Sequence, residues 1–243
     1  MENLKTEDIS GQREGIVLAG GLGTRLRSVV DNLPKCMAPV AGRPFLYYLL
    51  RYMERQRFTR VILALGYLHE MVERWISEER WSFCIDFSVE QTPLGTGGAI
   101  KQALKQVKEH RVFVLNGDTF FDADLGRMER LHCATHADLT LALKPMTHFS
   151  RYGTVICGKN GRIESFLEKQ PRDKGDINGG IYLLDTDAMM EVLPEGRFSF
   201  ETDVLEKQLS RLCMTGCLDD GYFVDIGIPE DYVKADAYFR VHI

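Results

Sequence analysis

The segment Leu18-Ala-Gly-Gly-Leu-Gly-Thr-Arg25 decides the fold of this chain, because it places a glycine-rich loop directly after a short apolar run. Residues 14–19 have the pattern of a buried strand. The glycines that follow leave backbone N–H groups uncovered by side chains, and such groups bind anions. Arg25 can place its guanidinium group on phosphate oxygens, and Lys35 adds a second cation. The pattern predicts a nucleotide phosphate site.

Two better-known phosphate loops do not match this segment. A P-loop carries a lysine before its Ser or Thr, whereas Gly23 is followed here by Thr24 and Arg25. The dinucleotide fingerprint needs a third glycine at position 26, which is Leu26. For the segment alone, an ordinary glycine-rich turn between a strand and a helix, with solvated cations nearby, remains the alternative.

Composition limits the class of protein. The chain has 243 residues, of which 44% are hydrophobic, and this suits one α/β domain with an added lobe. Thirty basic and 35 acidic residues give a net charge of −5, which argues against general nucleic-acid binding. No long apolar stretch or signal-peptide pattern is found, so we expect a cytoplasmic protein that does not bind membranes.

The first half of the chain alternates between strand and helix patterns. The predicted strands are 14–19, 60–65, 84–89 and 111–115, and the predicted helices are 45–56 (with Pro44 at the first position), 67–80, 97–107 and 124–134. This alternation predicts an α/β fold, a Rossmann-like three-layer sandwich around a mostly parallel mixed sheet. Ligands of such sheets bind beyond the carboxyl ends of the strands.

From residue 137 onward the pattern becomes richer in strands. Runs typical of strands occur at 138–143, 154–157, 163–168, 180–184, 213–218 and 223–225, with helical runs at 186–192, 201–209 and 229–238. Lys159-Asn-Gly161 is a strong hairpin signal between two of these strands. We therefore predict a small β-rich extension that builds a second wall of the binding cleft.

Asp118 and Asp225 each follow a short apolar run and precede a loop. Mg²⁺ typically takes one or two protein carboxylates and completes its shell with water and phosphate oxygens. Two aspartates from distant strands therefore suit a complex of metal and nucleotide. The alternative for each aspartate alone is that it caps the next turn.

A second glycine-rich loop, Glu90-Gln-Thr-Pro-Leu-Gly-Thr-Gly-Gly-Ala99, suits a flat base, because glycines allow the backbone to approach a ring closely. Glu90 can accept hydrogen bonds from N1–H and N2–H₂ of guanine. The alternative is a loop at the start of a helix, with Thr96 as the cap and Glu90 as a solvated charge.

His132 and His136 lie one turn apart on a predicted helix, which is metal-ligand spacing, but a surface helix is the favoured interpretation. The six cysteines form no C-x-x-C motif and are expected to be reduced. No Gly-x-Ser-x-Gly motif or cysteine–histidine signature supports a covalent mechanism.

Over about residues 14–238, the chain resembles the sugar-1-phosphate nucleotidyltransferases. The resemblance is carried by Leu18-Ala-Gly-Gly-Leu-Gly-Thr-Arg25, Pro34-Lys35, Pro93-Leu-Gly-Thr-Gly-Gly98, Asn116-Gly-Asp118, Phe166-Leu-Glu-Lys169 and Val224-Asp-Ile-Gly227. Within the family, the chain is most similar to members that use GTP and a heptose 1-phosphate. This similarity is carried by residues 23–30, Met37-Ala-Pro-Val40, Arg43-Pro-Phe45 and residues 114–121. Cys36 departs from the proline that many members carry there, which affects the rigidity of that loop.

The resemblance implies a role for each matching residue. Arg25, Lys35, Asp118 and Asp225 are the implied catalytic residues, and the two aspartates are the implied Mg²⁺ ligands. The implied nucleotide contacts are Leu18, Ala19, Gly20, Gly21, Gly23, Thr24, Arg25, Glu90, Pro93 and Gly95, and the implied sugar-phosphate contacts are Gly153, Glu168, Lys169 and Asn178. It also implies a tail (1–13) and one domain (14–243), in which 14–136 mainly bind nucleotide and 137–243 mainly bind sugar phosphate.

The implied reaction transfers a nucleoside monophosphate, GMP from GTP, to a sugar 1-phosphate, and the product is a GDP-activated heptose for surface polysaccharide. The protein is then a monomer or small homo-oligomer without a nucleic-acid or membrane partner. A uridylyl- or thymidylyltransferase on the same scaffold is the alternative enzyme. A non-catalytic nucleotide-sugar sensor subunit is the alternative outside enzymes, and the presence of Arg25, Lys35, Asp118 and Asp225 argues against it.

Overall fold

The computed structural model describes residues 12–21 and 33–242. The helices are α1 (Phe45–Arg55), α2 (His69–Glu78), α3 (Gly95–Leu104), α4 (Leu125–Thr135), α5 (Thr186–Val192) and α6 (Pro229–Val241), with a 3-10 helix at Lys35–Met37 and a π-helix at Phe200–Glu206. The strands are β1 (Arg13–Leu18), β2 (Pro39–Val40), β3 (Arg43–Pro44), β4 (Phe58–Leu65), β5 (Cys84–Val89), β6 (Arg111–Asn116), β7 (Thr119–Phe121), β8 (Leu139–Phe149), β9 (Thr154–Cys157), β10 (Ile163–Leu167), β11 (Arg172–Asp185), β12 (Met214–Leu218) and β13 (Phe223–Asp225).

Nine of these strands form one mixed sheet. Its main path runs β10-β9-β11-β6-β1-β4-β5, and β8 joins β11 to β12. Strands β5, β4, β1 and β6 are parallel to one another, as are β8 and β12. Strand β11 pairs antiparallel with β6 and β8, which connects the two halves of the chain through a single sheet. The predicted α/β fold with a mixed, mostly parallel sheet is confirmed.

Helices cover both faces of this sheet. Successive residues of a strand point to opposite faces, so the apolar residues of a central strand are buried on both sides. In β1, Val17 belongs to the apolar core beneath α1, α2, α4 and α6, whereas Ile16 belongs to the core beneath α3, α5 and the π-helix. Both side chains are fully buried. The three predicted layers are therefore present.

Two strands extend well beyond the predicted runs. Strand β8 continues to Phe149, and β11 begins at Arg172 instead of at residue 180. Their added residues pair with each other, from Arg172 opposite Phe149 to Ile177 opposite Lys144. Many of these residues are polar and partly exposed, so the apolar pattern that reveals a core strand is missing there. The predicted hairpin at 159–161 does connect β9 to β10.

Some boundaries also differ from prediction for local reasons. Helix α1 begins at Phe45, so Pro44 precedes the helix as its N-cap instead of occupying its first position. Pro44 keeps an extended backbone because it belongs to β3, where it pairs with Pro39. None of the helices in the described parts of the chain combines the length and the apolar character needed to cross a membrane.

The prediction that His132 lies on a surface helix is wrong, because its side chain is buried. It is 3% exposed and extends the inward stripe of α4 that Leu125 and Met128 begin at helical spacing. Its Nδ1 lies 2.9 Å from the hydroxyl of Thr140, which lies 2.9 Å from that of Thr215. His136 instead ends the helix in a left-handed conformation. Thus the two histidines do not converge on one point.

Candidate active site

The candidate site forms where β1 and β6 end side by side. Leu18 pairs with Asn116, and the N–H of Gly117 donates to the carbonyl of Leu18 at 3.0 Å. A Cβ on Gly117 would lie 2.5 Å from the same carbonyl oxygen, so a glycine is needed for this crossing. The loop that begins at Gly20 and the Asn116-Gly-Asp118 segment therefore meet at one end of the sheet.

A short two-stranded ribbon brings the two predicted metal ligands together. In the pairing of β7 with β13, Thr119 is opposite Asp225. The N–H of Ile226 also donates to the carbonyl of Asp118 at 3.0 Å. Asp225 is paired within this ribbon, and Asp118 directly precedes it. The backbone of the ribbon therefore fixes both carboxylates at the same end of the sheet.

Lys35 lies between these carboxylates. Its Nζ forms an ion pair with Asp118 and lies 3.8 Å from Oδ1 of Asp225, and its side chain is 12% exposed. The 3-10 helix places the lysine, and Cys36 behind it is buried, with its thiol toward the carbonyl of Ala19. This buried side chain packs beneath the loop that carries Lys35.

Charge is concentrated around Asp225. Burial raises the pKa of the Asp225 carboxyl above its usual value, the nearby Asp118 raises it further, and Lys35 and the N–H of Gly227 lower it. Asp225 Oδ1 accepts that N–H at 2.7 Å. A Cβ on Gly227 would lie 2.8 Å from Asp225 Oδ1 and 3.2 Å from Lys35 Nζ, so the glycine leaves room for both charged groups.

The residues present fit a divalent cation that binds together with phosphate. Among the described residues there is no cluster of three or more His, Cys, Asp or Glu side chains with metal-binding geometry. Two carboxylates, however, are enough for Mg²⁺ when phosphate and water supply the remaining oxygens. The increase that Asp118 causes in the pKa of Asp225 would also be offset by a bound cation, which favours the charged form of a carboxylate.

A cleft of about 570 Å³ opens beside these groups. The predicted site residues that line it are Leu18, Ala19, Gly20, Gly21, Lys35, Glu90, Pro93, Gly95 and Asp118. The predicted phosphate-loop residues Gly23, Thr24 and Arg25 lie outside the described residues. The structure thus brings the start of the phosphate loop, the predicted base loop and the Lys35–Asp118 ion pair to one cavity, and Asp225 lies behind Lys35 without lining it.

Glu90 occupies a narrow space at the cleft. Its Oε2 accepts the N–H of Leu94 at 2.9 Å, which fixes the turn before α3. Its Oε1 lies against Gly66, where a Cβ would approach it to 2.6 Å. The alternative prediction that Thr96 caps this helix is wrong. Helix α3 begins at Gly95, so Leu94 is its N-cap residue and Thr96 lies within the first turn.

The glycines of the predicted base loop are in close contact with the chain itself. A Cβ on Gly95 would lie 2.5 Å from the carbonyl oxygen of Phe198, and one on Gly98 would lie 2.7 Å from that of Gly196. A Cβ on Gly97 would overlap the ring of Phe198. We expected these glycines to let the backbone approach a base. In the structure, the space left by their missing side chains is taken by residues 196 and 198.

Several further cleft residues were not predicted as site residues, although Cys36, Thr96, Ala99, Asn116 and Gly117 lie in or beside motifs noted in the sequence. They are Cys36, Ala64, Leu65, Tyr67, Ser88, Thr96, Ala99, Gln102, Asn116, Gly117, Arg197 and Glu201. Arg197 is exposed and, with Lys35, is one of the two cationic side chains among the described lining residues. Gln102 on α3 is oriented by donating to the hydroxyl of Ser88 at 3.1 Å and to the carbonyl of Val89 at 3.0 Å.

The four predicted sugar-phosphate residues lie around the start of β9, and none of them lines the cleft. Thr154, which follows Gly153, pairs with Leu167, which precedes Glu168 and Lys169. Thr154 also pairs with Ile177, next to Asn178. Asn178 is occupied within β11, because its Nδ2 donates to the hydroxyl of Tyr182 at 2.8 Å and its Oδ1 accepts the N–H of Gly180. Their contacts with a substrate remain predictions.

Arg151 and Tyr152, immediately before Gly153, are a further pair that the sequence did not single out. Arg151 forms an ion pair with the buried Asp231 at the start of α6 and donates to the hydroxyl of Tyr152 at 3.1 Å. Burial and the nearby Asp225 raise the pKa of Tyr152 above its usual value. This pair connects the segment before β9 to the start of α6.

Comparison with known proteins agrees with this geometry. Residues 14–240 match the model of the nucleotidyl transferase family. The chain is 48% identical to D-glycero-alpha-D-manno-heptose 1-phosphate guanylyltransferase of Aneurinibacillus thermoaerophilus, over 95% of this chain and 100% of that protein. It is 44% identical to the protein of the same name from Campylobacter jejuni, over 90% of this chain and 96% of that one.

A solved structure has the same fold. HddC from Yersinia pseudotuberculosis, complexed with GMP-PN, superimposes with a TM-score of 0.84 at 37% identity and covers 94% of this chain and 100% of that chain. The family match spans nearly all the described residues and includes β1, Lys35, Asp118 and Asp225. From the shared sequence and the shared fold, we conclude that this chain belongs to the nucleotidyl transferase family.

Proposed function

We propose that this protein transfers GMP from GTP to D-glycero-α-D-manno-heptose 1-phosphate, giving GDP-heptose and pyrophosphate. The main support is the contact of Lys35 with both Asp118 and Asp225 where Lys35 and Asp118 line the glycine-rich cleft. The identities of 48% and 44% to two proteins named for this activity support the choice of substrates.

The chemistry needs no covalent enzyme intermediate. An oxygen of the sugar 1-phosphate attacks the α-phosphorus of GTP, a new P–O bond forms, and the bond to the β-phosphate oxygen breaks to release pyrophosphate. Because a phosphate oxygen is already nucleophilic, catalysis consists mainly of alignment and charge neutralisation. Mg²⁺, held by Asp118 and Asp225, would neutralise phosphate charge when bound. We expect Lys35, which lies beside both aspartates, to act on the same phosphates.

The nucleotide half of the site holds the donor. Backbone N–H groups from Gly20 onward, together with Arg25, bind the triphosphate. Glu90 selects guanine: its Oε2 already holds the turn at Leu94, which leaves Oε1 to accept from the base. Pro93 and Gly95 line the same side of the cleft.

The acceptor is bound by the second half of the chain. We assign it to Gly153, Glu168, Lys169 and Asn178, with Arg197 as a cation at the cleft. Lys169 is exposed at the end of β10, so it is accessible to the phosphate of a sugar. The nucleoside triphosphate substrate favours the cytoplasm as the compartment, and the product suits surface polysaccharide synthesis.

The function is tested by measuring pyrophosphate release. The protein is incubated with heptose 1-phosphate, Mg²⁺ and, in turn, GTP, ATP, UTP or dTTP, and the sugar-nucleotide product is identified by mass spectrometry. We expect release with GTP far above that with the other nucleotides, and release that depends on the acceptor and stops when EDTA is added. Preference for UTP or dTTP would establish a different transferase, and absence of product with every nucleotide would refute the enzyme.

A further inference from the structure

A segment of the second half, residues 196–201, lies directly on the turn that contains residues 94–98. The N–H of Phe198 donates to the carbonyl of Leu94 at 3.0 Å, and the N–H of Gly97 donates to the carbonyl of Phe198 at 3.1 Å. The missing Cβ atoms of Gly97 and Gly98 make space for Phe198 and for the backbone of Gly196. The two pieces of chain are therefore closely packed, although they are far apart in sequence.

One side chain, that of Thr96, completes this contact. Its Oγ1 accepts the N–H of Phe200 at 2.8 Å and donates to Oε2 of Glu201 at 2.8 Å. The hydroxyl of Ser199 donates to the same oxygen of Glu201 at 3.1 Å. The hydroxyl of Thr96 thus serves as donor and acceptor at once, and no apolar side chain can replace it.

Arg197 belongs to the segment that this contact holds. Arg197 lies between Gly196 and Phe198, whose backbones rest on the turn, and its exposed side chain lines the cleft. The triphosphate side of the cleft already has backbone N–H groups and Lys35. The phosphate of the second substrate also requires a cation, and Arg197 is the cation that the second half contributes to the cleft.

We propose that Thr96 is a positioning residue that holds Arg197 against the phosphate of the acceptor through its hydrogen bonds to Phe200 and Glu201. The inference rests on the proposed function, because it assumes that a sugar 1-phosphate occupies the cleft beside the nucleotide. As a consequence, the loop that contacts the base and the cation that binds the acceptor are parts of one rigid unit.

The kinetic test compares Thr96→Val, which keeps the shape but removes the hydroxyl, with Thr96→Ser, which keeps it. We expect Thr96→Val to raise the KM for the sugar 1-phosphate on the order of tenfold, with a much smaller change in the KM for GTP. Thr96→Ser should restore most of the acceptor affinity. In an Arg197→Ala background, Thr96→Val should add little, because the residue through which it acts is gone.

A second measurement does not depend on turnover. Trypsin cuts after arginine, so the rate of cleavage after Arg197 reports how firmly residues 196–201 are held. Faster cleavage is expected in Thr96→Val than in wild type and Thr96→Ser, at equal melting temperature. Equal cleavage rates in all three proteins would overturn the positioning role, as would multiplicative effects of Thr96→Val and Arg197→Ala on the acceptor KM. Absence of turnover in the wild type would instead refute the proposed function. The cleavage comparison would then still show whether Thr96 holds residues 196–201 in place.

Discussion

Lys35 Nζ lies 3.8 Å from Oδ1 of Asp225 while it also forms an ion pair with Asp118. One ammonium group therefore bridges two carboxylates that belong to different halves of the chain. The β7–β13 ribbon fixes the carboxylates, the 3-10 helix fixes the lysine, and Gly227 leaves the space that the charged groups occupy. We therefore expect the lysine and the two aspartates to act as one unit in phosphate transfer.

We expect Asp118→Asn and Asp225→Asn each to reduce kcat to near background, because each removes a charged ligand from the metal while keeping the side-chain shape. Pyrophosphate release measures the loss, and thermal denaturation shows whether the fold persists. Asp187→Asn is a matched control, since the side chain of Asp187 is 85% exposed and does not line the cleft. Full activity of either variant would remove that aspartate from its assigned role.

Lys35→Ala should lower kcat more than it raises the KM for GTP, because we expect Lys35 to act on charge that develops during transfer. Initial rates at varied GTP concentration separate the two parameters. Lys35→Arg serves as a partial control that keeps the charge with a different shape. An increase in KM at constant kcat would mean that the lysine contributes only to binding of the ground state.

The sequence predicted elements well where a local apolar run ends at turns. Strand β5 (Cys84–Val89), strand β9 (Thr154–Cys157) and helix α5 (Thr186–Val192) begin and end where predicted. The polar halves of β8 and β11 were missed because they are stabilised by pairing with each other and not by burial of alternate side chains. His132 was misplaced because the polar residue extends an apolar helix stripe and has a buried partner, Thr140.

Part of the candidate site could also be predicted from the sequence, and part could not. Lys35, Asp118 and Asp225 are found from the sequence since each lies beside a strand end or a glycine loop, and the structure brings them together. The roles proposed for Arg197 and Thr96 could not be predicted, because they depend on a contact between residues about a hundred positions apart. The roles of Gly153, Glu168, Lys169 and Asn178 stay predictions that substrate complexes must test.

Glu90→Gln should reduce the preference for GTP over UTP and dTTP by about 1–3 kcal/mol, the range for loss of a paired hydrogen-bond reader. The amide oxygen can still accept the N–H of Leu94, so the turn before α3 should remain. The measured quantity is kcat/KM for GTP, UTP and dTTP on both proteins. An unchanged ratio would exclude Glu90 as the reader of the base.

Gly66→Ala should reproduce part of this effect without touching Glu90 directly. A Cβ at this position would lie 2.6 Å from Oε1 of Glu90 and 3.2 Å from the carbonyl oxygen of Gly20, so the carboxylate must move. We expect a weaker preference for GTP, again measured as ratios of kcat/KM. In the double variant with Glu90→Gln, Gly66→Ala should cost little more selectivity. Full additivity would show that Gly66 acts on the loop at Gly20 instead.

The last prediction concerns stability below neutral pH. Burial lowers the pKa of His132 from 6.5 to about 4, so the folded protein keeps this imidazole neutral while the unfolded chain protonates it near pH 6.5. Since the unfolded state then binds more protons, the free energy of unfolding must fall as the pH falls from about 6.5 to about 4.

Between pH 7 and pH 5 the loss due to His132 should be about 2 kcal/mol, as the difference between the two pKa values requires. It is measured by urea unfolding at both pH values. His132→Gln should be less stable at pH 7, because a buried hydrogen bond to Thr140 is altered, but its stability should change less between the two pH values. His110→Gln, whose side chain is 90% exposed in the wild type, should keep the wild-type pH dependence. If His132→Gln lost as much stability as the wild type on acidification, another group would have to account for the pH dependence.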